Sequence, residues 1–197
     1  YLQSKGKLLN DKEDRFQTTP LDLCIALNHM ECANFLIEHS DQDSLNSALL
    51  NASNEGKTEL AARLLQYGAD IETRMPDTGA TPLDRAAYNG HLSTVQLLIE
   101  EGKAMVNQRR TTNGSTPLFQ ASFHGHSRVV EYLLQKGADP NLLRLSDNSN
   151  ALYVACLEGH VGVVRALLDY GADKLSCIFT KSSTNIRCLT KWTFKYC

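Results

Sequence analysis

Thr81-Pro82-Leu83-Asp84-Arg85-Ala86-Ala87-Tyr88-Asn89-Gly90-His91 returns as Thr116-Pro117-Leu118-Phe119-Gln120-Ala121-Ser122-Phe123-His124-Gly125-His126. A looser copy follows as Asn150-Ala151-Leu152-Tyr153-Val154-Ala155-Cys156-Leu157-Glu158-Gly159-His160. Upstream, Thr19-Pro20-Leu21 leads to Asn28-His29, and Ser47-Ala48-Leu49 leads to Gly56-Lys57. The starts at 19, 47, 81, 116 and 150 are separated by 28, 34, 35 and 34 residues. Each copy encodes a short helix. A threonine hydroxyl caps it, proline occupies the first turn where no amide donor is missed, and glycine stops it about two turns later. A second helix follows, with aliphatic residues at helical spacing: Val95, Leu98, Ile99; Val129, Val130, Leu133, Leu134; Val163, Val164, Leu167, Leu168. It ends at Gly68-Ala69-Asp70, Gly137-Ala138-Asp139 or Gly171-Ala172-Asp173. A polar stretch containing Gly79 or Gly114 then leads to the next start, which reads as an extended hairpin.

A period of about 33 to 34 residues is common to ankyrin and tetratricopeptide arrays. Tetratricopeptide units lack the third, hairpin-like segment. The T-P-L, G-H and G-A-D-x-N elements at fixed spacing resemble the ankyrin repeat family over about residues 1 to 173. The resemblance implies an all-α fold: an α-solenoid of stacked helix-turn-helix repeats joined by short β-hairpin loops. The expected division is 1–13 as the second half of a truncated repeat and 14–41 as a repeat whose hairpin is missing or reduced to a turn. Full repeats follow at 42–75, 76–110, 111–144 and 145–173. One unit cannot bury its apolar face alone, so Leu21, Leu49, Leu83, Leu118 and Leu152 are expected in a core formed by stacking. The histidine that the family carries after T-P-L is replaced by Asp22, Leu50, Asp84, Phe119 and Tyr153, so the side-chain hydrogen bonds that the resemblance implies for it are not expected here. Residues 174–197 break the pattern, with Trp192, Phe194 and Tyr196 alternating as in a strand, and read as a poorly ordered tail.

Net charge is −2, and the tail holds five basic residues and no acid, which leaves −7 for residues 1 to 173. An acidic body is a poor match for nucleic acid. No apolar run approaches the roughly 20 residues that cross a bilayer. Six cysteines form no C-x-x-C pair, and three fall at small apolar repeat positions, as buried thiols of an intracellular protein would.

No Walker loop, G-x-S-x-G or H-E-x-x-H occurs, so catalytic residues, metal ligands and cofactors are all expected to be absent. His91, His126 and His160 recur at one repeat position and read as structural. His124 and His126 form H-G-H without a carboxylate or thiol at ligand spacing. The stronger signal lies on the surface. In the family, the end of each first helix lines the concave face. Here that position holds Tyr88 and Asn89, Phe123 and His124, then Leu157 and Glu158. Equivalent residues of stacked repeats stand about 10 Å apart, which gives an apolar ladder of the kind that binding hot spots use. Arg109 and Arg110, at a hairpin tip, suit an acidic peptide. By resemblance, Asn141, with Leu133 and Asp139, looks like the ankyrin sites at which an asparaginyl hydroxylase acts. These residues imply a monomeric, non-catalytic scaffold for a protein partner. The alternative is the targeting or substrate-recruiting part of a larger enzyme or channel, such as a ubiquitin ligase. A truncated product without function is a third reading.

Overall fold

The computed structural model describes residues 19–173; the expectations for residues 1–13 and for the tail 174–197 lie outside the described residues. The described chain is all-α. Its helices begin as α1 Pro20–Ala26 paired with α2 Met30–Ile37 and α3 Gln42–Glu55 paired with α4 Thr58–Gln66, followed by α5 Pro82–Asn89 and α6 Leu92–Glu100. The last pairs are α7 Pro117–Phe123 with α8 Ser127–Gln135, and α9 Ala151–Glu158 with α10 Val161–Asp169. The caps explain the starts. Thr19 forms a reciprocal capping box with Asp22, while the side chains of Thr116 and Asn150 accept from the amides of Phe119 and Tyr153. Left-handed residues at 28, 56, 90, 125 and 159 reverse the chain into each second helix.

The chain divides into two compact units. In the first, which runs to Ala86 and resumes over Ser93–Met105, α1 packs on α2 and α3, and α3 packs on α4. In the second, Ala87–Leu92 together with the chain from Val106 onward, α7 packs on α8 and α9, and α10 packs on α8 and α9. Leu21, Leu49, Leu83, Leu118 and Leu152 are all buried. Each contributes about 1.5–3 kcal/mol by leaving water, which a lone helical hairpin could not secure for both of its faces.

The expected β-hairpins are not formed as such: among the described residues there is no strand. Each loop is a closed turn. Met75 donates its amide to Ala80 (2.9 Å), Arg110 to Ser115 (2.9 Å) and Arg144 to Ser149 (2.7 Å), and a tighter bond lies inside each (Gly79 to Met75, Gly114 to Arg110, Asn148 to Arg144). One closing pair around a tight turn leaves no run of consecutive pairs, and a ladder needs such a run. In the second unit the amide of Leu145 reaches the carbonyl of Asn113 (3.0 Å), which links one loop to the next.

Between α2 and α3 the loop is shorter still. Ile37 ends α2, and Asp41 already caps α3 by accepting from the Ser44 amide. Ser47, read from the sequence as a helix start, therefore lies inside α3. Its hydroxyl instead donates to the Asp22 carboxylate (3.1 Å), which Asn51 also reaches at 2.7 Å. Asp22 thus binds both its own cap and the next helix from a position where the family carries histidine.

A second register of polar bridges was not evident from the sequence. A side-chain oxygen of one repeat accepts the backbone amide in the loop after the next second helix. In the first unit the pairs are Asn46 with Asp70 (2.7 Å) and Glu72 with Met105 (2.8 Å); in the second they are Asn107 with Asp139 (2.9 Å) and Asn141 with Asp173 (2.8 Å). Glu72 serves as well as asparagine because the bridge requires only an acceptor. The cysteines correct another expectation: Cys24 and Cys156 are half-buried and Cys32 is exposed. Their positions on short helices near the turns leave them at the edge of the core, so burial no longer argues for a particular compartment.

Candidate protein-binding surface

Tyr88, at the end of α5, is half-buried, while Phe123 at the end of α7 and Leu157 near the end of α9 are 37% and 54% exposed. All belong to the second unit. His124 joins the first two. Its ring lies 4.1 Å from that of Tyr88 and 4.9 Å from that of Phe123, the latter edge-on as quadrupoles prefer. The Arg110 guanidinium lies 5.9 Å from the centre of the Tyr88 ring, within cation–π range. Tyr88, His124, Phe123 and Arg110 therefore form one contiguous cluster. Asn89, the last residue of α5, is half-buried, and Glu158, the last residue of α9, is exposed. Burial holds the His124 imidazole below its ordinary value; the neighbouring His126, His160 and Arg110 act in the same direction, and Glu158 opposes them. His124 is accordingly a neutral ring near pH 7, able to stack and to accept one hydrogen bond.

Arg109 is placed differently. Its guanidinium donates to the carbonyl of Gly114 in its own loop and to that of Leu143 in the next, at 2.6 Å. Arg74 bonds Gly79 in the same way, and Arg144 pairs with Asp147 while lying 4.8 Å from the centre of the buried Phe119 ring. The Arg144 guanidinium and the Ser149 hydroxyl and amide hold the Asp147 carboxyl far below the usual carboxylate range. This arginine position organises loops, whereas Arg110 is the one in contact with the aromatic cluster.

The repeated histidines account for the rigidity of that cluster. His126 donates Nε2–H to the carbonyl of Tyr88 (2.9 Å), and His160 does the same to Phe123 (3.0 Å); a carbonyl can only accept, which decides the tautomer. Each ring lies over the glycine that ends the preceding first helix. A Cβ on Gly90 would stand 2.5 Å from His126, and one on Gly125 would stand 2.6 Å from His160. In the first unit Lys57 occupies the histidine position, and its ammonium reaches back to the Ile25 carbonyl. The recurrent G-H dipeptide carried this signal, but the carbonyl that each ring meets lies a whole repeat away in sequence.

Asn141 is exposed, and its side-chain oxygen accepts from Asp173. Among the described residues no group of three or more His, Cys, Asp or Glu is gathered as a metal ion would need; in H-G-H the two rings stack 6.1 Å apart. No helix of the described residues is long and apolar enough to cross a membrane.

Comparison with known proteins agrees with this geometry. A family model described as ankyrin repeats (3 copies) matches residues 49–144 and 106–177. The ankyrin repeat and KH domain-containing protein mask-1 of Caenorhabditis elegans is 29% identical over 134 residues, 66% of this chain and 5% of its own length. Inversin of Danio rerio is 37% identical over 75 residues, 36% of this chain and 7% of its own. The chain thus spans a small fraction of the relatives that it matches. With stacked helical hairpins, closed loop turns and a family match over more than half of its residues, the chain belongs to the ankyrin repeat family.

Proposed function

We propose that this chain is a non-catalytic interaction module that holds a protein partner against the surface of Tyr88, Asn89, Phe123, His124, Leu157 and Glu158, with Arg110 at its edge. The carrying observation is the Tyr88–His124–Phe123 cluster. Three rings converge at the ends of two neighbouring helices, partly exposed, over backbone already fixed by His126 and His160. Rings held in place lose little entropy when a partner covers them, which favours them as anchors. Arg110 beside Tyr88 suits a partner segment that places a carboxylate next to an apolar side chain. Arg109 supports this edge by fixing the loop rather than by touching the guest. The repeat units that present the surface run 76–110, 111–144 and 145–173, after units at 14–41 and 42–75. The module acts as a monomer inside the cell, without a cofactor.

Tyr88→Ala and Phe123→Ala test the reading by affinity capture from lysate, followed by titration of a captured partner. About ten-fold or greater weakening, at unchanged helical circular dichroism, is the expected result, since a hot-spot ring contributes about 1–2 kcal/mol or more. Full retention of every partner by the double variant refutes it. If thermal stability instead falls by the roughly 3–5 kcal/mol of a buried aromatic, the rings belong to the core.

The small share of each relative that the chain covers, 5% and 7%, favours a second use of the same surface: recruiting a substrate or target for further domains of a longer protein. Asn141 is also proposed as a site of hydroxylation. Intact-mass analysis of protein from cells would then give a species about 16 Da heavier, and its absence rejects the modification.

A further inference from the structure

We propose that Asn113 is a site of deamidation, and that its aspartate form takes up Arg110 in the way that Asp147 holds Arg144 one loop later. Asn-Gly occurs twice in the chain, at Asn89-Gly90 and Asn113-Gly114. Asn89 closes α5, so its reaction would require that helix end to unwind. Asn113 is half-buried at a loop tip, directly after the exposed Thr111 and Thr112. Packing fixes the residue that follows it. Gly114 is left-handed at φ 73°, and a Cβ there would overlap the Leu145 side chain. Asn113 is thereby kept next to the least hindered amide that a chain can offer.

The loops 110–115 and 144–149 match bond for bond. The Arg110 amide donates to Ser115 (2.9 Å) and that of Arg144 to Ser149 (2.7 Å), while the Gly114 amide returns to Arg110 (3.0 Å) and that of Asn148 to Arg144 (2.9 Å). Oδ1 of Asn113 accepts from the amide and hydroxyl of Ser115, at 3.0 and 2.7 Å. Oδ1 of Asp147 accepts from those of Ser149, at 3.1 and 2.6 Å. Asp147 does one thing more. Its two oxygens take both prongs of the Arg144 guanidinium, Nε at 2.9 Å and a terminal nitrogen beside it. An asparagine presents an NH2 group in place of the second oxygen and cannot accept such a pair. Arg110 precedes Asn113 by three residues, as Arg144 precedes Asp147, and its guanidinium lies 5.9 Å from the centre of the Tyr88 ring. A carboxylate at position 113 therefore competes with that ring for Arg110.

In the reaction the Gly114 nitrogen gives up its proton and attacks Cγ of Asn113. The Cγ–Nδ2 bond breaks, and ammonia leaves with that proton, closing a succinimide. Water then adds to one ring carbonyl and the ring C–N bond opens. Attack at Cγ gives aspartate; attack at the other carbonyl gives isoaspartate. One amide and one water yield one carboxylate and one ammonium ion. In the closed loop the Gly114 amide is donated to Arg110 and the Asn113 side chain is held by Ser115, so the reaction proceeds only as the loop opens. Isoaspartate takes the Asn113 carbonyl out of the backbone, and that carbonyl is the acceptor for the Leu145 amide (3.0 Å).

The test uses the full folded chain, held for weeks in neutral buffer at body temperature and then digested briefly with trypsin. Peptides 111–128 and 86–103 each contain a single asparagine, Asn113 and Asn89. The first should become about 1 Da heavier several-fold sooner than the second. Ser115→Ala removes the hydroxyl that holds the reacting side chain, and should speed the change at 113 by about five-fold. In Asn113→Asp, an NMR titration should place the new carboxyl below an ordinary aspartate, and adding Arg110→Gln should return it toward the ordinary value. The inference is overturned if residues 111–128 keep their mass, if both asparagines react alike, if Ser115→Ala leaves the rate unchanged, or if Arg110→Gln does not move the titration at 113. No partner protein enters these measurements, so they stand or fall apart from the binding surface.

Discussion

Replacing Gly90 by Ala isolates the contribution of the histidine that braces each first helix. Gly90 and Gly159 end equivalent helices at φ 77° and 79°, so an alanine at either position pays the same left-handed strain of about 1–2 kcal/mol. Their surroundings differ. The new Cβ at 90 would stand 2.5 Å from His126 Nδ1, whereas at 159 no atom of the described residues lies within 4 Å. Gly90→Ala must therefore also push the imidazole away and break its bond to the Tyr88 carbonyl, a further loss of about 0.5–1.5 kcal/mol. Urea unfolding of both variants should place Gly90→Ala lower than Gly159→Ala by about 1 kcal/mol, roughly 0.5 M in midpoint. Adding His126→Ala removes the obstacle, so the second substitution should cost less in that background, with a coupling energy of about 1 kcal/mol. Gly125→Ala, whose Cβ would meet His160 at 2.6 Å, should behave like Gly90→Ala. Equal midpoints for the Gly90 and Gly159 variants, with strict additivity to His126→Ala, would refute the bracing role.

Three further outcomes follow from other contacts. Ser122 is fully buried and its hydroxyl has no partner among the described residues, at a repeat position where Ala87 also stands, so Ser122→Ala should raise stability by up to about 1 kcal/mol in the same urea measurement. Asn107 both accepts from the Asp139 amide and donates to the Gly137 carbonyl. Asn107→Ala should therefore lose about 1–2 kcal/mol, and hydrogen exchange should report faster exchange at the Asp139 amide, while Asn107→Asp should retain the protection of that amide. His124 has a folded-state value below its unfolded one, so its contribution to stability is present above the unfolded value and is lost as pH falls through the folded value. The thermal midpoint should fall on acidification from pH 7.5 to 5, and less steeply in His124→Gln; identical slopes would show that His124 does not sense this pH range.

The local signals that recur were legible along the chain. Thr116 and Asn150 cap where their residue types predict, left-handed glycines stop the first helices, and the aliphatic spacing marks the buried faces. These depend on neighbours within one or two turns, which a linear pattern records. Ser47 misled for the same reason: it resembles a cap, but Asp41 caps first and the Ser47 hydroxyl is taken by Asp22. Arg109 and Arg110 are identical in sequence terms, yet one is bound to loop carbonyls and the other lies beside Tyr88.

By itself, the order of residues determined that this chain folds as repeated helical hairpins, because capping, glycine reversal and apolar spacing act over a few residues and were repeated often enough to be unmistakable. Tertiary structure decided the rest: that the loops of the described residues close as turns without strands, that Glu72 does the work of an asparagine, and that His126 braces Tyr88. The bridges and braces join groups about a repeat apart. Such contacts depend on distance in space and not on distance along the chain.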